Sequence, residues 1–246
     1  MPRDHDTTRR TEQGMREFWD DAARTNAVWY VDTSLEYDHP DMERFFETGR
    51  KIVAEALDGS PVAPPGRSSA VEIGSGLGRV CLALADRFDR VTGIDISPEM
   101  VQRARELVPD ARVTFAIGDG ASLSGLGDAS ADLVLSFTVF QHIPRVDVIE
   151  RYIAEAGRVL RPGGLFVFQW NNGGAVGYWN LRRVLLAALQ RSGLKSERYR
   201  RHAPEFLGSK VPLDRIQRAL ARGGMEIKKT AGLGTLFAWV WAVKGA

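Results

Sequence analysis

The sequence predicts a single α/β domain built on an open, mostly parallel sheet with helices on both faces. Two observations carry this. After residue 69 short β-rich runs alternate with helical runs, the order of parallel strands crossed by helices. And in "VEIGSGLGRV", Val71 to Val80, a strand passes into a helix through three glycines at alternate positions, a turn left bare of side chains. The 246 residues fit one such domain with additions and are enough to bury a core.

Taken in order, the elements are as follows. The start, "MPRDHDTTRR", has no apolar signal core and reads as a polar, frayed first dozen residues. Residues 1–60 read as an N-terminal helical cap, in which "EFWDDAARTNAVWYVDTS" belongs to two short helices. The Pro- and Gly-punctuated "LDGSPVAPPGRSS", Leu57 to Ser69, separates that cap from the core at 66–170. Core strands are predicted at Ala70 to Ile73, Arg90 to Ile94, Arg112 to Ile117, Ala131 to Phe137 and Gly164 to Trp170. "SPEMVQRARELV" is a helix with Ser97 as its cap and Pro98 at its first position. "DVIERYIAEAGRVL" places Val148, Ile149, Tyr152, Ile153, Ala156 and Val159 on one helical face, and "LRPGG" ends that helix before the fifth strand. Residues 171–211 read as a substrate-side insertion outside the sheet, with a helix in "GYWNLRRVLLAALQRSG" and a basic stretch, "KSERYRRHAPEF". In the last part, 212–246, a helix in "PLDRIQRALARGG" precedes two strands, "MEIKKTAG" and "LFAWVWAVKG", the second apolar enough to be inserted in the sheet.

Composition excludes several classes. A charged fraction of 26% and a hydrophobic fraction of 44% set aside disordered and fibrous chains, and a net charge of +2 is too near neutral to argue for nucleic acid. Cys81 is the only cysteine, so no disulfide framework or thiolate metal cluster is expected, in keeping with a cytoplasmic protein. His5, His39, His142 and His202 are far apart, and no metal set is visible. No apolar run approaches the roughly 18 residues that would span a bilayer. The expected form is a monomer or homodimer with a small-molecule partner.

A glycine turn at the carboxyl end of a first parallel strand is the ligand position of an open α/β sheet. The spacing here is G-x-G-x-G at Gly74, Gly76 and Gly78, so the G-x-G-x-x-G dinucleotide fingerprint is broken and an NAD oxidoreductase ranks last. Asp95, seventeen positions after Gly78 in "VTGIDIS", ends the second strand where an acid can accept both hydroxyls of a ribose. Taken singly, the glycines satisfy a tight turn, Asp95 a helix cap and Asp119 a turn; their joint placement after successive strands is what those readings leave unexplained.

In "VEIGSGLGR", "GIDIS", "AIGDGASL" and "LRPGGLFVF" the chain resembles the class I S-adenosylmethionine-dependent methyltransferases, small-molecule and type 11/25-like, from Ala70 to about Trp170. The resemblance implies a Rossmann-like, seven-stranded sheet whose last strand is antiparallel. It also implies S-adenosylmethionine as cofactor and S-adenosylhomocysteine as product. Gly74, Ser75, Gly76 and Gly78 would pack against the ribose and methionyl part, with Glu72 near the amino acid group or organising the loop. Asp95 would hold the ribose diol, Ile96 one adenine face, and Asp119 the exocyclic amine. Gly120 and Ala121 would offer backbone amides, and Phe137 and Thr138 would border the methionyl group.

"FTVFQHIP" puts Gln141 and His142 past the fourth strand, where the methyl group should emerge, and a histidine there suits removal of a proton from an acceptor at neutral pH. A structural role for His142 is the competing reading. Trp29 and Tyr30 in the cap, with Tyr178 and Trp179 in the insertion, are candidate acceptor contacts, against the plainer reading that they are core aromatics. The expected activity is methyl transfer to an oxygen or nitrogen of a small molecule, a specialised metabolite. The rivals are a nucleic-acid or protein methyltransferase and a catalytically silent cofactor-binding scaffold. "SFTVFQHI" lacks the Asn/Asp-Pro-Pro-aromatic turn of amino-methylating nucleic-acid enzymes.

Overall fold

A computed structural model describes residues 3–173 and 208–246, with side chains from residue 12 onward. Two helices, α1 (Arg3–Val31) and α2 (Met42–Asp58), precede the sheet. Then follow β1 (Ala70–Ile73), α3 (Arg79–Ala85), β2 (Val91–Asp95), α4 (Pro98–Leu107), β3 (Val113–Ile117) and β4 (Ala131–Ser136). A short 3-10 turn, Phe140–His142, leads to α5 (Val146–Val159) and β5 (Leu160–Trp170), and α6 (Leu213–Arg222), β6 (Met225–Ala231) and β7 (Ala238–Lys244) complete the fold. The sheet has seven strands in the order β3-β2-β1-β4-β5-β7-β6, with β7 antiparallel to both neighbours.

Burial follows from this order. The central strands β1 and β4 are apolar along nearly their whole length and are buried on both faces. Along β5, Phe166, Phe168 and Trp170 face α5 and α6, whereas Leu165 and Val167 face the opposite layer with Val80, Leu84 and Trp241. Each such side chain contributes about 1.5–3 kcal/mol on burial. The Trp241 indole donates to the Ala56 carbonyl at 2.8 Å, so β7 also fastens α2. No helix among the described residues is long and apolar enough to cross a membrane.

Two expectations are corrected. α1 starts at Arg3 instead of fraying over a dozen residues. The two helices expected over 17–34 are present as the halves of α1, which meet at a kink at Asn26 (φ −163°, ψ 83°), whose side chain accepts from Trp29 N at 3.1 Å and so caps the second. β5 begins at Leu160 and absorbs "LRPGG", because Leu160 pairs with Ala131 ahead of a register shift and Gly163 takes φ +76° to carry the chain through it. Ser97 caps α4 by accepting from Met100 N at 3.1 Å, with Pro98 next in line. The helix predicted within 174–207 lies outside the described residues.

The cap is seated on the carboxyl edge of the sheet. Asp20 of α1 accepts from Ser97 Oγ and, at 3.2 Å, from Glu99 N, which adds a carboxylate to the start of α4. Arg16 donates to the Gly118 carbonyl after β3 at 3.0 Å, and Glu12 pairs with Arg151 at 2.7 Å.

Candidate active site

Strand order reverses between β1 and β4, and the crevice at that switch point is where an open sheet holds its ligand. The glycine turn forms its floor. Gly74 (φ +75°), Gly76 (φ +50°) and Gly78 (φ +82°) are all left-handed, which a residue with a Cβ adopts only under strain. A Cβ on Gly74 would sit 2.1 Å from Val139 Cγ2, and one on Gly78 would sit 2.6 Å from Phe115 Cζ. Gly74 therefore lets the loop after β4 close in, while Gly78 meets the sheet.

Above the turn lies a cavity of about 360 Å³, within the range of small-molecule sites. Asp95, at the end of β2, accepts from Gly76 N (2.8 Å) and Ser97 N (2.9 Å), one bond per oxygen. A carboxylate has about four acceptor positions, so Asp95 keeps acceptor capacity beyond these two bonds at the cavity lining. Burial pushes its carboxyl above the usual range against the pull of those amides. Glu72 is more deeply enclosed: burial raises its carboxyl to about 8, partly opposed by the Cys81 thiol that donates to it at 2.9 Å. Two further groups at the lining, Ser75 Oγ and Gln141 Oε1, are buried and without a hydrogen-bond partner among the described residues. Such groups call for a ligand or water to satisfy them. Thr138 holds φ +55°, an outlier for a β-branched residue, at the cavity wall.

The cap supplies the cover. Met15, Trp19 and Tyr30 of α1 line the cavity, and the Trp19 ring meets the His142 ring edge-on at 5.4 Å. Arg79, buried at the start of α3, is paired with Asp32 just after α1. It also donates to Thr48 Oγ1 (2.7 Å) and the Val31 carbonyl (3.2 Å). Its guanidinium lies 5.3 Å from the Phe45 ring centre and 5.9 Å from that of Phe137.

Comparison with known proteins places this geometry. Residues 71–168 match the family described as "Methyltransferase domain". The chain is similar to 2-methyl-6-phytyl-1,4-hydroquinone methyltransferase of Synechocystis sp., 32% identical over 62% of this chain and 52% of that one. It is also similar to malonyl-[acyl-carrier protein] O-methyltransferase of Geobacter sulfurreducens, 34% identical over 63% of this chain and 55% of that one. The chain thus spans about half the length of these curated relatives. Residues 71–168 are thus similar to a methyltransferase domain. Among solved structures, magnesium protoporphyrin IX methyltransferase from Synechocystis PCC 6803 with bound SAH shares the fold. The TM-score is 0.61 at 18% identity, over 96% of this chain and all of that one.

The matched domain and its cap bring together most of the residues singled out from sequence. Glu72, Gly74, Ser75, Gly76, Asp95, Ile96, Phe137, Thr138, Tyr30, Gln141 and His142 all line the one cavity. Gly78, Trp29 and the Asp119-Gly120-Ala121 turn are not part of that lining. Asp119 is engaged in its own turn, accepting from Ala121 N (2.8 Å), Ser122 N (2.7 Å) and Ser122 Oγ (2.7 Å). Burial works against its charge, but these bonds hold the carboxyl below the usual range. Trp29 packs edge-on against Tyr30 and Tyr37. Tyr178 and Trp179 lie outside the described residues. Not anticipated from sequence were Met15, Arg79, Leu236 and Phe237, all at the cavity. The last two follow the "GLGT" of the β6–β7 turn, and a large apolar pair just past turn glycines was the available signal.

Proposed function

We propose that the chain methylates an oxygen or nitrogen of a small molecule, a specialised metabolite, acting in the cytoplasm as a monomer or homodimer. The observation that carries this is one continuous cavity holding Asp95 and the glycine turn together with Gln141 and His142. When bound, S-adenosylmethionine supplies a methyl group on a sulfonium sulfur, which keeps the electron pair of the broken bond and leaves as a neutral thioether.

The residues present fit that cofactor. Asp95 has acceptor capacity left for a ribose diol, Ile96 offers an apolar face beside it, and Ser75 Oγ needs a partner. Glu72 provides a carboxyl at the floor for the amino acid head. On the acceptor side, His142 takes the proton released from the hydroxyl or N–H, and Trp19, packed on its ring, fixes the plane of the imidazole. The cap excludes water from the reacting groups. Much of the acceleration comes from holding acceptor and methyl in line, since the leaving group needs no protonation.

The relatives named above act on a hydroquinone and on a malonyl-[acyl-carrier protein], which supports small acyl or phenolic acceptors without choosing between them. Incubation with labelled S-adenosylmethionine and a panel of phenols, amines, carboxylates and sugars, read by mass spectrometry, tests the reading. Label should appear in at least one product. In that assay His142→Ala should lower turnover on the order of 10² to 10⁴-fold with cofactor affinity little changed. A loss under about tenfold would leave His142 a positioning role only.

A further inference from the structure

The cavity runs along the carboxyl edge of the sheet from β2 to the amino end of β7, four inter-strand steps, or about 19 Å at the usual strand spacing. Charge is distributed unevenly along it. The formally charged side chains among its described lining are Glu72, Arg79 and Asp95, which sit on β1, α3 and β2. After β4 the lining continues through Thr138, Gln141 and His142, none formally charged, to an apolar stretch made by Ile143, Leu236 and Phe237.

Leu236 and Phe237 are 48% and 51% exposed, large apolar side chains on a turn that is otherwise firmly held. Asn172 N and Gly173 N both donate to the Thr235 carbonyl at 3.0 Å, Asn172 Oδ1 accepts from Gly234 N at 3.0 Å, and Thr235 Oγ1 accepts from Phe237 N at 3.1 Å. Gly173 is required by this contact, since a Cβ there would lie 2.2 Å from the Gly234 carbonyl oxygen. A rigid turn holding two half-exposed hydrophobic groups at a cavity mouth is a prepared binding surface. Between it and the cofactor end stands Gln141, 9% exposed, whose Oε1 has no hydrogen-bond partner among the described residues and needs a donor.

Resting on the methyl-transfer reading, we propose that Leu236 and Phe237 form the acceptor-side wall and, with Gln141, select an uncharged aromatic acceptor bearing one hydroxyl or N–H. Among the described residues this wall carries no formal charge, so a charged substituent against it is desolvated without compensation from them. Before reaction the hydroxyl or N–H of the bound acceptor donates to the Gln141 oxygen, and that proton passes to His142 as the methyl group transfers; the ring packs on the apolar surface of Leu236 and Phe237.

The test is a fluorescence titration of the whole chain, saturated with S-adenosylhomocysteine, with three probes: β-naphthol, its ring-sulfonated counterpart, and its methyl ether. β-Naphthol should bind at least about tenfold tighter than the sulfonate and several-fold tighter than the ether. Phe237→Glu and Leu236→Glu, each at an exposed site and checked by thermal melting, should weaken β-naphthol about tenfold or more. Gln141→Leu should erase the preference for naphthol over its ether. Equal affinity for naphthol and sulfonate, or unaltered naphthol binding in both folded wall variants, would overturn the proposal. Calorimetry with S-adenosylhomocysteine alone separates the two readings. Binding there with no naphthol preference sinks only the acceptor assignment, whereas no binding sinks the methyl-transfer reading beneath it.

Discussion

Asp95 divides its carboxylate between the fold and the cavity, with one backbone amide on each oxygen and acceptor capacity left at the cavity lining. Asp95→Ala is expected to weaken S-adenosylhomocysteine binding by about 1.5–3 kcal/mol, the value of charge-assisted hydrogen bonds, as measured by calorimetry. An unchanged affinity in a folded variant would make Asp95 a turn and cap residue alone. Glu72, one strand over, has a different signature, because burial lifts its carboxyl from 4.5 to about 8. Between those two values the unfolded chain has released this proton and the folded chain keeps it. Stability from Glu72 is therefore full below pH 4.5, falls by up to about 1.4 kcal/mol per pH unit as pH rises, and levels off above pH 8. Glu72→Gln keeps a neutral acceptor for the Cys81 thiol and should flatten that slope in urea unfolding across this window. Parallel pH profiles for the two proteins would contradict the assignment. Asp95 ends a β-rich run and was legible from spacing, whereas Glu72, within β1, was singled out only through the family resemblance; the protonation of neither was legible, because it depends on the depth at which the sheet encloses each.

The elements joined by Arg79 show how the cover is tied to the floor. Arg79 opens α3 directly after the glycine turn, while Asp32 follows the last turn of α1, and the two meet in a buried pair. Burial works against the Asp32 charge, but bonds from Ser34 and the Arg79 guanidinium outweigh it and hold the carboxyl low. Asp32→Ala leaves a guanidinium buried without its counter-ion, so about 3 kcal/mol of stability should be lost in chemical denaturation. A loss under about 1 kcal/mol would show that Thr48 and the Val31 carbonyl suffice to hold Arg79. Neither partner stood out in the sequence. Arg79 reads there as the residue after a glycine motif and Asp32 as one acid among many, and only the return of α1 across the sheet edge pairs them. The helix starts were easier, since Ser97 and Pro98 act within one turn of the chain and need no tertiary partner to be recognised.

At the scale of the molecule, the order β3-β2-β1-β4-β5-β7-β6 does two things. It opens a crevice between β1 and β4, and by inserting β7 beside β5 it carries Leu236 and Phe237 to the far end of that same crevice. The first consequence was readable from alternating strands, helices and the glycine turn, which are local patterns. The insertion of β7 was expected too, from its apolar run and from the family resemblance; what was not readable was that its pairing with β5, a long-range contact, brings Leu236 and Phe237 to the crevice. Asp119, expected as a ligand contact from its place after β3, accepts from Ala121 and Ser122 in its own turn, outside the cavity lining. The central claim is that this crevice is an S-adenosylmethionine site, and titration calorimetry of the purified chain with S-adenosylmethionine, S-adenosylhomocysteine and NAD tests it most directly. Saturable binding of both adenosyl compounds with no NAD heat is the expected result; tight NAD binding with no response to either adenosyl compound would contradict it.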